Sequence, residues 1–213
     1  MKQINVHLLI ALALCGLVSA AAATTVIDYG WEDGGDVLGI YPDPDLPSII
    51  ATNVAGWDGE PVHSGNFSLK LEDNAPSSTP QAFVALLWNL RDGDEITVGF
   101  WRYDVTPAAA PSCRLWGHWN DDLPADPYGY SGSASGELDY GPGEGWDYTS
   151  YTYVVSGNTG LVIEARTYSS AGDIVWIDDL HIEMPDHVYA QIPGCSPVGV
   201  EGESWGGVKA LFR

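Results

Sequence analysis

The chain has 213 residues and a formal net charge of −21 at pH 7, from 29 Asp and Glu against eight Lys and Arg. That balance sets aside nucleic acid and anionic membrane surfaces as partners, because binding them takes a basic face that releases counterions. It suits a solvated extracellular surface or a hard cation that takes carboxylate and carbonyl oxygens, and net charge alone does not choose between them. In chain order, Lys2 opens a short positive stretch, residues 7–18 are largely apolar, and 19–23 are small, with cleavage sites after Ala20 or Ala23. Residues 1–23 therefore read as a signal peptide, and the protein as secreted or held at the cell surface. The apolar run is short of the ~20 residues a membrane span needs, and no later stretch qualifies. Cys15 offers a lipoprotein alternative, but a removed signal is the simpler reading. Cys113 and Cys195 then remain. Export makes a bond between them chemically possible, although separation along the chain does not show that they meet.

About 190 residues are left, enough for one domain with a sizeable core and a tail. Between residues 24 and 183, clusters of Gly, Pro, Asn, Asp and Ser punctuate short runs rich in Val, Ile, Thr, Tyr, Phe and Trp. This is an all-β pattern. The clearest strands are 68–71, 82–89, 95–105, 113–119, 149–155, 161–168 and 174–182, with Arg91-Asp92-Gly93-Asp94 as a turn between the second and third. Residues 120–145, dense in Gly, Ser, Asp, Tyr and Pro, read as an extended loop of the kind that often carries function. From residue 184 the character changes to a Pro/Gly linker, followed by a tail in which Trp205, Val208, Leu211 and Phe212 sit at helical spacing, with Ser204 able to cap and Lys209 and Arg213 at the far end. That tail is a candidate sorting or surface-attachment segment, or a short docked helix.

Three segments belong together: Tyr29-Gly30-Trp31-Glu32-Asp33-Gly34, Val62-His63-Ser64-Gly65-Asn66-Phe67-Ser68-Leu69-Lys70-Leu71 and Val175-Trp176-Ile177-Asp178-Asp179-Leu180-His181-Ile182. Over residues 29–183 they resemble the family of carbohydrate-binding modules with a galactose-binding-like jelly roll. The resemblance implies an antiparallel jelly-roll β-sandwich with its first and last strands side by side, and glycan binding on the concave sheet or on loops at one end. It also implies a structural calcium ion where the first strand, the loop before the second strand and the last strand converge. Carried over by position, Glu32 and Asp178 would supply carboxylates and Ser64 and Asn66 backbone or amide oxygens, with Asp179 as an alternative to Asp178. Calcium accepts six to eight such oxygens at irregular angles.

Side chains alternate across a strand, so each strand divides into two faces. Ile96, Val98 and Phe100 fall on one side of their strand, opposite Trp101 and Tyr103. Cys113, Leu115 and Gly117 oppose Arg114, Trp116 and His118, and Leu161, Ile163 and Ala165 oppose Val162, Glu164 and Arg166. Taken as one surface, the non-core faces collect Trp101, Tyr103, Arg114, Trp116, His118, Glu164 and Arg166. Aromatic rings can cover the C–H face of a pyranose, while Arg, Glu and His meet its hydroxyls with directional hydrogen bonds. The bland alternative is that the N-terminal segment or the long loop covers Trp101 and Tyr103, and that Arg166 only pairs with Glu164. For catalysis, Glu164 could be coupled with Glu137, Asp121 or Asp122, but no spacing favours a pair. Nucleophile-elbow, zinc-protease and phosphate-loop motifs are absent from the sequence, and His63, His118, His181 and His187 lack metal-ligand spacing. The reading is a secreted, non-catalytic, calcium-stabilised β-sandwich that binds polysaccharide or glycan. The alternatives are a surface adhesive protein that binds another protein, anchored by its tail, and a jelly-roll hydrolase or lyase.

Overall fold

The computed structural model describes residues 23–42, 48–76, 79–105, 113–139, 144–167 and 171–194. The signal segment, Cys15, Cys195 and the tail lie outside them. Among the described residues, twelve strands form two antiparallel sheets: β1 Thr24–Tyr29, β2 Gly39–Tyr41, β3 Ile49–Ala55, β4 Phe67–Asp73, β5 Gln81–Trp88, β6 Glu95–Val105, β7 Cys113–Trp119, β8 Gly132–Gly136, β9 Glu144–Val154, β10 Gly160–Thr167, β11 Ile174–Pro185 and β12 Tyr189–Gln191. One short 3-10 turn, Gly56–Asp58, interrupts them. The first sheet runs β3-β4-β11-β6-β9 with β1 added to β11; the second runs β12-β5-β10-β7-β8 with β2 added to β5. No helix among the described residues is long and apolar enough to cross a membrane.

The core lies between the sheets, where the alternation expected from the sequence places it. Ile96, Val98 and Phe100 of β6 face Leu115 of β7 and Leu161, Ile163 and Ala165 of β10, all fully buried. Full burial of each large apolar side chain contributes roughly 1.5–3 kcal/mol. Arg102 continues the inward row of β6 and is also buried. Its guanidinium donates to Asp147 Oδ2 from Nε (3.0 Å) and Nη2 (2.7 Å), and from Nη1 to the carbonyls of Cys113 (2.6 Å) and Asp139 (2.9 Å). One side chain of the first sheet thus satisfies a backbone carbonyl of the second and one of the segment after β8, and burial of its charge is compensated by an anion and two carbonyls. Cys113 sits beside it as a buried thiol, pushed by burial to a pKa of about 12.

The first strand and the long late strand do lie side by side, with Ile27 opposite Ile182. Two expectations need correction. Residues 120–145 are not one loop, since β8 and the start of β9 fall within them. β8, Gly-Ser-Ala-Ser-Gly, has little strand propensity of its own and exists by pairing with β7. The domain also does not end at 183: β11 runs to Pro185, β12 pairs with β5, and Val188, Ala190 and Ile192 enter the core.

Candidate functional site

The seven residues pooled from the sequence do not share a face. Trp101 and Tyr103 stand on β6 in the first sheet, whereas Arg114, Trp116, His118, Glu164 and Arg166 stand on β7 and β10 in the second. Alternation assigned each side chain correctly to the outside, but the two outsides are opposite surfaces of the sandwich. On the first sheet the aromatic groups pack on one another. His63 stacks on Trp101 with ring centroids 4.0 Å apart, Tyr103 meets Trp146 and Trp176, and Trp176 Nε1 donates to Glu60, which also pairs with Lys70. The chain's own loop ahead of β4 therefore covers much of this face, the bland alternative in modified form.

On the second sheet the outer surface is hollow. Gln81 and Phe83 of β5, Glu164 and Arg166 of β10 and Trp116 and His118 of β7 form the floor of a cleft of about 570 Å³, rimmed by Tyr41, Tyr128, Tyr130 and Ser133. Cross-strand register makes the floor: Trp116 lies opposite Glu164, which lies opposite Phe83, which lies opposite Gly39. Glycine is required at 39, because a Cβ there would stand 2.6 Å from the Phe83 ring and 3.2 Å from Tyr128 Oη. A shift in register between Ile163 and Glu164 changes which β5 residues share the outer face with β10.

The polar floor is wired internally. Glu164, 1% exposed, accepts from His118 Nδ1 at 2.5 Å, and His118 Nε2 lies 3.2 Å from the Gly129 carbonyl. The Gln81 amide, with its nitrogen toward Glu164, donates to both carboxylate oxygens at 2.8 Å, and its oxygen accepts from Arg166 Nε (3.2 Å) and Nη2 (3.0 Å). Arg166 lies over Trp116, 4.8 Å from its ring centre, with Arg114 at 6.0 Å. Trp116 is therefore a platform for guanidinium groups. The rings open to solvent are those of Tyr41, Tyr128 and Tyr130, at 51%, 45% and 69% exposure. Tyr128 leans on Phe83 and Tyr130 on His118. Sequence reasoning missed Gln81, Phe83 and these three tyrosines. The signal available for two of them was the tyrosine-rich loop after β7, which puts Tyr128 and Tyr130 over the sheet.

The four residues carried over for calcium do converge at one end of the sandwich. Glu32 Oε1 accepts from the N–H of Asn66 (2.7 Å) and Phe67 (3.0 Å), and Oε2 from Asn66 Nδ2 (3.2 Å). The Asn66 N–H above all holds the Glu32 carboxyl below its ordinary range. Asp178 Oδ2 accepts from the N–H of His63 (2.9 Å) and Ser64 (3.1 Å), and Oδ1 from that of Asp179. A bulge in β11, with Asp179 at φ 49°, lets both adjacent aspartates reach the same loop: Asp179 accepts from Ser64 Oγ (2.6 Å) and meets His63 Nδ1 (2.7 Å). A Cβ at Gly65, where φ is +65°, would run into Glu32 Oε1. Burial, aided by the charge of Asp179, raises Asp178 from 3.8 to about 6 against the pull of those N–H groups. As arranged, this set does not fit a calcium ion, which needs six to eight convergent oxygens. The carboxylate oxygens expected to serve as ligands already accept hydrogen bonds, and no group of three His, Cys, Asp or Glu among the described residues is placed to hold a metal.

No protein-family model and no curated protein sequence matches the chain. A search of solved structures does return matches. A xylan-binding domain from Paenibacillus barcinonensis matches at 14% identity over 78% of this chain and 98% of its own, with a TM-score of 0.46. A carbohydrate-binding module solved with β-1,4-galactotriose matches at 17% over 72% and 92%, TM-score 0.42, and the K1 cleaved adhesin domain of Lys-gingipain from Porphyromonas gingivalis W83 at 13% over 74% and 97%, TM-score 0.46.

Proposed function

We propose that the protein is an exported carbohydrate-binding module that takes a glycan chain in the cleft on its second sheet and leaves it chemically unchanged. The observation that carries this is the pairing of three exposed tyrosine rings with a buried, hydrogen-bonded polar floor in one concavity. Aromatic rims supply contact area to pyranose rings, and fixed polar groups below select among hydroxyl patterns. Leaving a buried hydroxyl unmatched costs about 1–3 kcal/mol, so the floor sets specificity more than the rim does.

Two features support binding without catalysis. Glu164 is the one carboxylate among the described residues that line the cleft, while glycoside hydrolysis ordinarily takes a pair. Both ring nitrogens of His118 and both oxygens of Glu164 are engaged by protein groups. Of the carboxylates weighed as its partners, Asp121 accepts from the N–H of Thr159, and Glu137 from those of Leu138 and Asp139. Calcium has no place in the binding step. The carboxylate clasp between residues 32, 63–66 and 178–179 does by hydrogen bonding the pinning expected of the ion.

A glycan array followed by calorimetry on the mature protein tests the reading. The expected outcome is array hits that weaken about two- to tenfold in Tyr130→Ala, as for loss of one ring contact of roughly 0.5–1.5 kcal/mol, and no release of reducing ends from any bound polymer. An empty array defeats it, and release of product defeats the non-catalytic half. N-terminal sequencing of protein collected from the medium tests export, with Ala21 or Thr24 expected as the start.

A further inference from the structure

We infer that His118 is a positioning residue of the cleft: as an imidazolium it fastens the tyrosine rim to the floor, so the cleft takes glycan best in mildly acidic medium and loosens as pH rises. The glycan half of this rests on the reading above. His118 projects from β7 between floor and rim and is 7% exposed. Its Nδ1 stands 2.5 Å from Glu164 Oε1 and its Nε2 3.2 Å from the Gly129 carbonyl. The groups that meet Glu164 are donors, His118 on one oxygen and the Gln81 amide on both. A carboxylate so placed and a backbone carbonyl both accept, so each ring nitrogen has to donate. A neutral imidazole has one N–H and an imidazolium has two. The geometry is that of the protonated ring.

Gly129 lies between Tyr128 and Tyr130, whose rings rest on Phe83 and His118. The flanks of this rim segment are held by other groups. The Ser131 N–H donates to the Trp119 carbonyl (2.8 Å), the Asp126 carbonyl accepts from buried Asn120 (2.8 Å), and Asp126 Oδ1 accepts from the Tyr128 N–H (2.9 Å). His118 supplies the polar link from the floor to the midpoint. When the proton leaves, the carboxylate keeps the Nδ1–H, the shorter and charge-assisted bond, and the bare lone pair of Nε2 faces the carbonyl oxygen. That contact turns repulsive, and the segment carrying both tyrosines is released at its centre. The charged and titratable groups on the elements around the ring are Glu164 and Arg166 on β10, Arg114 on β7, Asp122, Asp126, Tyr128 and Tyr130 on the loop, and Tyr153 of β9 behind Gly117. Among them Glu164 is the one hydrogen-bonded to a ring nitrogen. Histidine is also the side chain whose charge ordinarily changes between about pH 5 and 8. A proton that tightens glycan is itself tightened by glycan in the same ratio, so binding at the upper end of that range takes up protons.

Two measurements on the mature protein decide this, one of them without glycan. In a pH titration followed by heteronuclear NMR, both ring nitrogens of His118 should carry protons at about pH 5, and the amide signals of Gly129 and Tyr130 should move with the ring as it loses one. In calorimetric titration with neutral hexaoses of β-linked glucose, xylose, mannose and galactose, affinity should fall at least about fivefold between about pH 5 and about pH 8, the low end of the usual coupling between two sites. Buffers of different ionisation heat should show proton uptake on binding at the upper pH. His118→Gln, neutral throughout, should bind with neither pH dependence nor proton uptake. Its melting temperature shows whether it is folded, and the wild-type measurements stand without it. A singly protonated ring at about pH 5, loop signals indifferent to the ring, or an affinity level across pH overturns the inference and leaves the glycan reading in place. A pH dependence that persists in His118→Gln belongs to another group and overturns it too. Silence of every hexaose at every pH overturns the glycan half, while the NMR titration still decides whether ring and rim are coupled.

Discussion

The two outer faces of this sandwich hold similar residues and differ in shape. The first presents Trp101, Tyr103, Trp146 and Trp176, and the second Trp116, Phe83, Tyr41, Tyr128 and Tyr130. On the first, rings stack on each other and on His63, and the segment from Glu60 to Asn66 is fastened across the strand ends by Asp178 and Asp179. On the second, the loop after β7 and the short β2 stand up at the edges and leave the middle open. Aromatic content does not make a binding surface. Concavity does, because a ligand needs walls to exchange its water for contacts on several sides.

The sharpest way to break this comparison is to truncate one large ring on each face. Trp176→Ala should destabilise the protein by about 3–5 kcal/mol, as for other buried large-to-small changes, and leave glycan affinity where it was; Trp101→Ala should follow the same pattern with a smaller loss. Chemical denaturation paired with calorimetry reads both quantities, and a loss of affinity without loss of stability would move the site to the first sheet. Next in size is Glu164→Ala, which leaves donors of His118 and Gln81 without their acceptor at a cost of about 3 kcal/mol. Here stability and affinity should fall together, since the floor is one network. Tyr128→Ala should lower affinity several-fold and shift stability by no more than about 0.5 kcal/mol, the usual range for an exposed position.

The remaining two predictions concern the clasp. Burial raises Asp178 to about 6 from an ordinary 3.8, so the folded state holds this proton more tightly than the unfolded chain does. The stability this confers is complete below about pH 4 and lost as pH rises through about 6. Asp178→Asn should flatten that part of the stability profile. Chelation is the smallest effect: melting temperatures with EDTA and with calcium should coincide. A fall with EDTA that calcium restores, and that Glu32→Ala abolishes, would show the carboxylates turning from N–H groups to an ion.

Much of the fold was legible because a strand's period of two exposes its two faces directly in the order of residues. β6 and β7 have the boundaries expected, and their inward rows are the core. The strands that escaped notice are β1, β2, β3, β8 and β12. β2 and β12 are three residues long and pair at the edge of β5, while β8 is built of small residues. Their strand character comes from the partner.

The site was legible in part for the same reason. Alternation within a single strand identified Arg114, Trp116, His118, Glu164 and Arg166 as outward groups, and motif spacing brought Glu32, Ser64, Asn66 and Asp178 to one end. By itself the sequence determined the seven strands of strong pattern, their inward rows and the acidic, cation-poor surface. Only the tertiary structure decided which sheet each strand joined, and so separated Trp101 and Tyr103 from the other five. It also decided that the calcium-type residues meet N–H groups, and that Gln81 and three tyrosines complete the cleft. The physical reason is that alternation relates a residue to its own strand, whereas neighbours across a sheet are set by hydrogen bonds and packing between segments far apart in the chain.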